Sequence, residues 1–136
     1  MKKLIVILLA LAMIPAVQSC KKKQKEPEPS AKELITMDDW TYKKRKVYDS
    51  NNNLISSTNY NEKWVFSTSN DYYFYDNAGD IDEYGTWQLL DDDSKIRFIE
   101  HYGIYDETLE IIELTEDKFT IRNEISGSKF YFYLER

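Results

Sequence analysis

The chain has 136 residues, a net charge of −6 and an aromatic content of 15%, with 11 tyrosines but only 4 glycines and 3 prolines. This length accommodates one ordinary domain plus processed or flexible ends, and the aromatic enrichment favours β-strands. A net acidic chain without a basic stripe is not expected to bind nucleic acid, because phosphates require clustered Lys and Arg. The single cysteine, Cys20, excludes an internal disulfide.

The first twenty residues have the pattern of an export signal. A basic N-terminus precedes an apolar segment at residues 4–15, which is shorter than the roughly 20 residues needed to span a bilayer. The sequence Val-Gln-Ser-Cys at residues 17–20 then resembles the lipobox of bacterial lipoproteins. This resemblance implies a signal peptide at residues 1–19 and a membrane anchor through lipid on Cys20. The alternative is an ordinary secreted protein with an unmodified Cys20.

Residues 20–33 are predicted to be a lipidated cysteine followed by an extended tether, because they are polar, charged and proline-bearing. The lysines after Cys20 suit contact with anionic lipid headgroups, and a plain solvated linker is the alternative. In the Bacteroidota-type lipoproteins that this chain resembles, surface export goes with an acidic run after the cysteine. The basic run here therefore implies a cell-envelope protein that is anchored to the outer membrane and faces the periplasm.

Residues 34–136 are predicted to fold as one all-β domain. A helical turn at residues 33–38 precedes segments in which apolar and polar residues alternate, which is the period of half-buried strands. Polar turns separate these segments. The predicted strands are residues 40–49, 63–67, 71–76, 83–90, 95–101, 108–114, 118–123 and 129–135, and residues 54–61 are either a weak strand or a long loop.

Two segments depart from simple alternation. Residues 43–46 are four consecutive basic residues, which in a strand place two on each face. They form either an anion-contacting edge or rim, or a solvated strand that neutralises the acidic body. In residues 108–114 the apolar positions shift phase between Ile111 and Ile112, which indicates a β-bulge or a segment buried on both sides.

Tight turns between all the strands leave no room for crossover helices, so the strands are expected to form an antiparallel meander. A meander of about eight strands removes its exposed edges best by closing into a small barrel. The interior of an eight-stranded barrel is either filled by side chains or just large enough for one small ligand.

Several short motifs are spread along this domain. The most specific are Gly-Thr-Trp-x-Leu-x-Asp-Asp at residues 85–92 and Leu-Thr-x-Asp-Lys-Phe at residues 114–119. With Trp40, residues 63–66 and residues 72–79, they resemble the small lipocalin-like lipoproteins of Bacteroidota over nearly the whole domain. The resemblance implies an up-and-down barrel and an envelope location. It implies no established reaction and no set of catalytic residues.

The residue types that carry catalysis or metal binding are sparse. His101 is the only histidine and has no evident nucleophile beside it. Zinc requires several His or Cys ligands, so neither a metal nor a cofactor is expected. The three aspartates at residues 91–93 lack the glycine and terminal glutamate of an EF-hand loop and are interpreted as a solvated turn at the barrel rim. The chain is therefore not expected to be an enzyme.

Two functions fit these features. The first is binding of a small hydrophobic or amphipathic molecule inside the barrel. The residues expected to line its interior are Trp40, Trp64, Phe66, Tyr72, Phe74, Trp87 and Phe98. The alternative is an interaction or inhibitor lipoprotein, which contacts an envelope or secreted protein through acidic loops and outward tyrosines. Those tyrosines also fit simple β-propensity on an exposed face.

Overall fold

The computed structural model describes residues 26–136. The predicted signal peptide at residues 1–19 and the predicted lipidation site at Cys20 lie outside the described residues. The described part contains a short helix, α1 (Ala31–Thr36), and eight β-strands. The strands are β1 (Trp40–Tyr48), β2 (Leu54–Phe66), β3 (Asp71–Tyr75), β4 (Ile81–Leu90), β5 (Lys95–Glu100), β6 (Asp106–Leu114), β7 (Lys118–Ile125) and β8 (Ser128–Glu135).

The eight strands form one closed antiparallel barrel in chain order. Each strand pairs with its neighbours in sequence, and β1 pairs with β8 to complete the ring. At the seam, Arg45 on β1 lies opposite Thr58 on β2 and opposite Phe132 on β8. Closure removes the edge strands that an open eight-stranded sheet would expose. The prediction of an all-β, up-and-down barrel of about eight strands is confirmed.

Strand β2 is one continuous strand of 13 residues, which resolves the ambiguity at residues 54–61 in favour of a strand. Its first half pairs with β1, beginning at Leu54 opposite Tyr48, whereas pairing with β3 begins only at Lys63. Residues 54–59 protrude beyond β3 and are exposed. They have no buried face, and they are a strand because β1 supplies their hydrogen bonds.

The basic run in β1 does not divide evenly between the two faces, as alternation alone predicts. A register shift between Tyr42 and Lys44 marks a bulge against both neighbouring strands. Arg45 lines the interior, whereas Lys43, Lys44 and Lys46 line a shallow groove with Tyr133 and Glu135. The extra residue at the bulge moves one lysine to the outer face. Three cations therefore face outwards, and one faces the interior.

A second bulge confirms the phase shift predicted in β6. The register with β7 slips between Ile111 and Glu113. As a result Leu109, Ile111 and Leu114 all pack with the core. Ile112 lies at the bulge, faces outwards and is exposed. The bulge lets one strand keep its apolar side chains inside although their spacing is irregular.

Helix α1 covers one end of the barrel. It starts at Ala31 because Ser30 forms a capping box with Glu33, in which the Ser30 N–H donates to Glu33 Oε2 at 2.7 Å. Helix α1 thus begins within the segment that the sequence analysis assigned to the tether. Ile35 on α1 is fully buried against the strand residues. The buried core consists of Ile35, Trp40, Tyr42, Trp64, Phe66, Tyr72, Trp87, Ile96, Phe98, Leu109, Phe119, Ile121 and Leu134.

Candidate functional site

The two ends of the barrel differ in how they are filled. At the end beneath α1, the indole N–H of Trp40 donates to the Ile35 carbonyl at 3.0 Å. Phe66 packs edge-to-face against Trp87 at 5.7 Å, and Phe119 lies 5.5 Å from Trp40. These rings and the helix fill this end, which is called the closed end below.

Arg136 fastens α1 to the closed end. Its guanidinium lies 3.8 Å above the Trp40 ring. It donates to the backbone carbonyls of Leu34 on α1 and of Glu116 in the β6–β7 turn. One side chain thus joins the helix, a turn and the buried indole.

The opposite end, called the mouth below, contains a cavity of about 650 Å³. It is bordered by the last residue of β7 and by the first residues of β4 and β6. The lining residues are Tyr42, Arg45, Tyr60, Glu62, Trp64, Tyr72, Phe74, Asp82, Glu83, Phe98, Tyr105, Asp106, Glu107, Leu109, Ile121, Ile125 and Phe132. A cavity of this size is within the range of small-molecule sites in proteins.

Aromatic rings form the floor of this cavity. Trp64 stacks on Phe74 with ring centroids 3.8 Å apart, and Tyr42 stacks on Tyr60 at 4.5 Å. Phe132 lies 6.0 Å from Tyr42 and continues the same surface. The pairing of Trp64 with Phe74 across β2 and β3 sets this arrangement, because directly opposed residues share a face. The floor offers several ring faces to an apolar or cationic group.

Carboxylates surround the floor. Five acidic residues line the cavity, and Arg45 is the only cation among the lining residues. The acidic residues are Glu62, Asp82, Glu83, Asp106 and Glu107. They come from the first residues of β4 and β6 and from the second half of β2, which the barrel brings together from positions far apart in sequence.

Tyr72 joins the aromatic floor to this acidic ring. It is fully buried, and its hydroxyl donates to Glu83 Oε1 at 2.6 Å. Burial, this hydrogen bond and the nearby carboxylates of Glu83, Glu100 and Glu107 raise the pKa of Tyr72 well above its ordinary value. Its phenol therefore stays protonated and holds Glu83 in place as a donor.

The carboxylates also perturb one another. Lost hydration, followed by the negative charges of Asp82 and Asp76, raises the pKa of Glu62. Lost hydration and Glu83 likewise raise the pKa of Glu107, although part of this side chain is exposed and Asn123 donates to it. Both shifts thus arise first from lost hydration and second from the neighbouring carboxylates at the mouth.

Four of the seven residues expected to line the interior do line the cavity: Trp64, Tyr72, Phe74 and Phe98. Trp40, Phe66 and Trp87 are instead packed in the core of the closed end. Alternation places all seven on the inner face, but it does not say how far along the barrel axis each residue lies.

The sequence interpretation did not include the acidic members of the cavity, although a signal for them is present. Glu62 precedes Trp64 by two residues, and Glu107 precedes Leu109 by two residues. In a strand this spacing puts each carboxylate on the same face as its apolar partner. Tyr42 and Phe132 could be found by the same alternation.

The residues weighed in the sequence analysis as metal-binding or catalytic candidates lie outside the cavity. The three aspartates at residues 91–93 form an exposed β4–β5 turn with left-handed backbone at the closed end of the barrel, away from the cavity. Asp91 pairs with Lys95 at 2.7 Å. His101 is exposed and stacks on Tyr84 at 4.7 Å.

Neither a metal site nor a membrane-spanning helix is present in the described part of the chain. Within residues 26–136, no three His, Cys, Asp or Glu side chains are arranged so that they could hold a metal ion. Over the same range, no helix has the length and apolarity that crossing a bilayer requires.

Comparison with known proteins supports the fold described above. No curated protein sequence is significantly similar to this chain. The crystal structure of a lipocalin-like protein from Bacteroides uniformis is similar to it, with a TM-score of 0.53 and 12% identity, over 76% of this chain and 98% of that one. An uncharacterised protein from Bacteroides eggerthii has a TM-score of 0.49 and 13% identity, over 72% of this chain and 97% of that one.

The barrel is therefore lipocalin-like, as the motifs of the sequence indicated. The model of one protein family, described as Domain of unknown function (DUF4822), matches residues 33–135, which include α1 from its third residue and all eight strands. The chain belongs to this family, and its domain is a lipocalin-like β-barrel.

Proposed function

We propose that this protein is a lipid-anchored protein of the cell envelope whose barrel binds one small apolar or amphipathic molecule without transforming it. The observation that supports binding is the cavity of about 650 Å³ at the mouth, with its aromatic floor. The interior of an eight-stranded barrel is either filled by side chains or large enough for one small ligand, so a cavity of ligand size at one end is consistent with a binding role. The lipocalin-like fold agrees with this role.

A neutral apolar dye tests this proposal. N-Phenyl-1-naphthylamine should bind the purified protein with one-to-one stoichiometry and gain fluorescence on entering the aromatic site. Phe132→Trp places a larger ring in the lining and should weaken dye binding. Tyr131→Trp, on the outer face of the same strand, is the matched control and should bind normally. Absence of saturable binding, or equal binding by both variants, would argue against the cavity as a ligand site.

The anchor is a separate part of the proposal, supported by the lipobox-like sequence at residues 17–20. Mass spectrometry of the mature N-terminal peptide should show Cys20 as the first residue, carrying diacylglycerol and an acyl chain. A Cys20→Ser variant should be lost from the membrane fraction. An unmodified Cys20 in the mature protein would overturn the anchor and leave the binding proposal standing.

A second candidate function is docking of a protein at the mouth. The observation that favours it is the β5–β6 loop, where Tyr102, Ile104 and Tyr105 are 72%, 71% and 67% exposed. Exposed apolar side chains grouped on one loop are typical of contact sites. A photo-crosslinker at position 104 should capture a discrete partner in cells, whereas one at Glu113, on the barrel wall, should not.

A further inference from the structure

The lining of the cavity is strongly asymmetric in charge. Five carboxylates face a single cation, Arg45. Among residues 26–136, Arg45 makes no ion pair, and its guanidinium lies 5.7 Å from the Tyr60 ring centre. The negative charge of the mouth is therefore not cancelled by its own arginine.

Three of the five carboxylates have partners within the protein. Asp106 accepts two hydrogen bonds from Arg97. Glu83 accepts from Tyr72, and Glu107 accepts from Asn123. Glu62 and Asp82 form no ion pair within the described range. They are the two carboxylates available to an incoming group.

This charge lies directly above an aromatic surface. Glu62 is on the same strand and the same face as Trp64, two residues away, and Trp64 stacks on Phe74. A positive group at Glu62 would therefore meet carboxylates on one side and ring faces on the other. Both surfaces attract cations, and they do so more strongly where water is displaced.

The same surroundings disfavour other ligands. A carboxylate or phosphate head group would enter beside Glu62 and Asp82 and be repelled. A bare metal ion would need several carboxylates converging on one point, and within residues 26–136 no three such side chains do so. The acidic groups are spread around the mouth, which suits a larger organic cation.

From this arrangement we propose that the ligand is an amphipathic organic cation. Its apolar part lies on the floor formed by Trp64, Phe74 and Phe132, and its ammonium or guanidinium group lies between Glu62 and Asp82. This inference rests on the proposed ligand-binding function and adds the chemical class of the ligand.

Three probes that share a ten-carbon tail test the inference: decyltrimethylammonium, decanol and decanoate. Isothermal titration of the purified protein in detergent-free buffer should show decyltrimethylammonium binding at least about tenfold more tightly than decanoate. Its affinity should fall as salt is raised, whereas that of decanol should not.

Charge-neutralising variants locate the effect. The double variant Glu62→Gln, Asp82→Asn should weaken decyltrimethylammonium binding by about fivefold or more and leave decanol binding unchanged. The matched control is Asp92→Asn, Asp93→Asn, which removes the same two charges at the closed end. Asn tolerates the left-handed backbone at these two positions, so the control should fold and bind all three probes normally.

The outcomes separate the two proposals. If no probe binds, the proposed ligand-binding function fails, and this inference fails with it. If decanol or decanoate binds as tightly as the cation, or if the control variant loses affinity equally, the cavity is a ligand site but the inference about charge is wrong.

Discussion

At the scale of single residues, Arg136 connects three separate parts of the closed end. It covers the Trp40 ring and donates to two backbone carbonyls, of which one belongs to α1. A planar guanidinium can do all of this at once, because its donors lie in a fixed fork. The side chain is therefore expected to stabilise both the barrel seam and the helix.

Arg136→Ala should lower the free energy of unfolding by about 2–3 kcal/mol, through loss of the cation–π contact and of the hydrogen bonds to Leu34 and Glu116. Arg136→Lys should lose less, because it keeps a positive charge near Trp40. Urea unfolding followed by tryptophan fluorescence measures both. An alanine variant that unfolds at the same urea concentration as the wild type would contradict this role.

Glu62 illustrates the cost of the acidic mouth. Its pKa is raised in the folded protein, whereas in the unfolded chain it is near the ordinary value of about 4.3. Its carboxylate form is therefore disfavoured by folding. The cost is present above the folded pKa and disappears below the unfolded pKa.

Glu62→Gln should accordingly raise the melting temperature at pH 7, and this gain should vanish near pH 3, where the wild-type carboxyl is also neutral in both states. Glu116→Gln, in the exposed β6–β7 turn, is the control and should change little at either pH. Thermal unfolding by circular dichroism provides the comparison. A loss of stability at pH 7 would mean that Glu62 has a favourable partner in the fold.

At the scale of strands, the β4–β5 hairpin depends on Gly85. A Cβ atom at this position would lie 2.1 Å from the carbonyl oxygen of Ile99 and 2.9 Å from the Cα of Glu100. Both are backbone atoms, so a side chain could be accommodated only by separating the two strands. The conformation of Gly85 is ordinary, and the requirement for glycine comes from close approach.

Gly85→Ala should therefore destabilise the protein by about 1–3 kcal/mol, because the strands must move apart. Thr86→Ala, at the exposed neighbouring position, should stay within about 0.5 kcal/mol of the wild type. Equilibrium urea unfolding measures both. Equal stability of the two variants would show that the hairpin absorbs a methyl group without strain.

The strands also show what alternation can and cannot predict. The hairpin of Trp87 and Phe98 follows simple alternation, and its two arms and facing were predictable from residue type alone. The bulge near Lys43 was not predictable, because it arises from pairing with β2 and β8 together and leaves no mark in the composition of β1. The acidic lining was partly predictable, since alternation places Glu62 on the same face as Trp64. A charged residue on the inner face indicates a ligand site only when the barrel is known to be open at that end.

At the scale of the whole molecule, packing decreases from the closed end to the mouth. Large buried side chains such as Trp40 and Phe119 are concentrated beneath α1. Residues 54–59 of β2 are exposed and lie beyond the reach of β3. Local opening is expected where few apolar contacts hold the backbone.

Hydrogen exchange should reveal this gradient. Backbone amides of residues 54–59 should exchange well before those around Trp87, Ile96 and Phe119, because opening at the mouth does not require the closed end to unfold. Exchange followed by mass spectrometry at neutral pH measures it. Uniform protection along the barrel would show that the molecule opens only as one unit.

Helix α1 also determines where the chain enters the barrel. Because α1 covers the closed end, Ser30 at its start lies at the end of the domain opposite the mouth. With the proposed lipid on Cys20, the ten residues 21–30 reach at most about 35 Å from the bilayer surface. Under the proposed anchoring, a mouth at the end opposite the tether would be open to the aqueous compartment, so a ligand would be exchanged with molecules arriving from solution and not withdrawn directly from the membrane that carries the anchor.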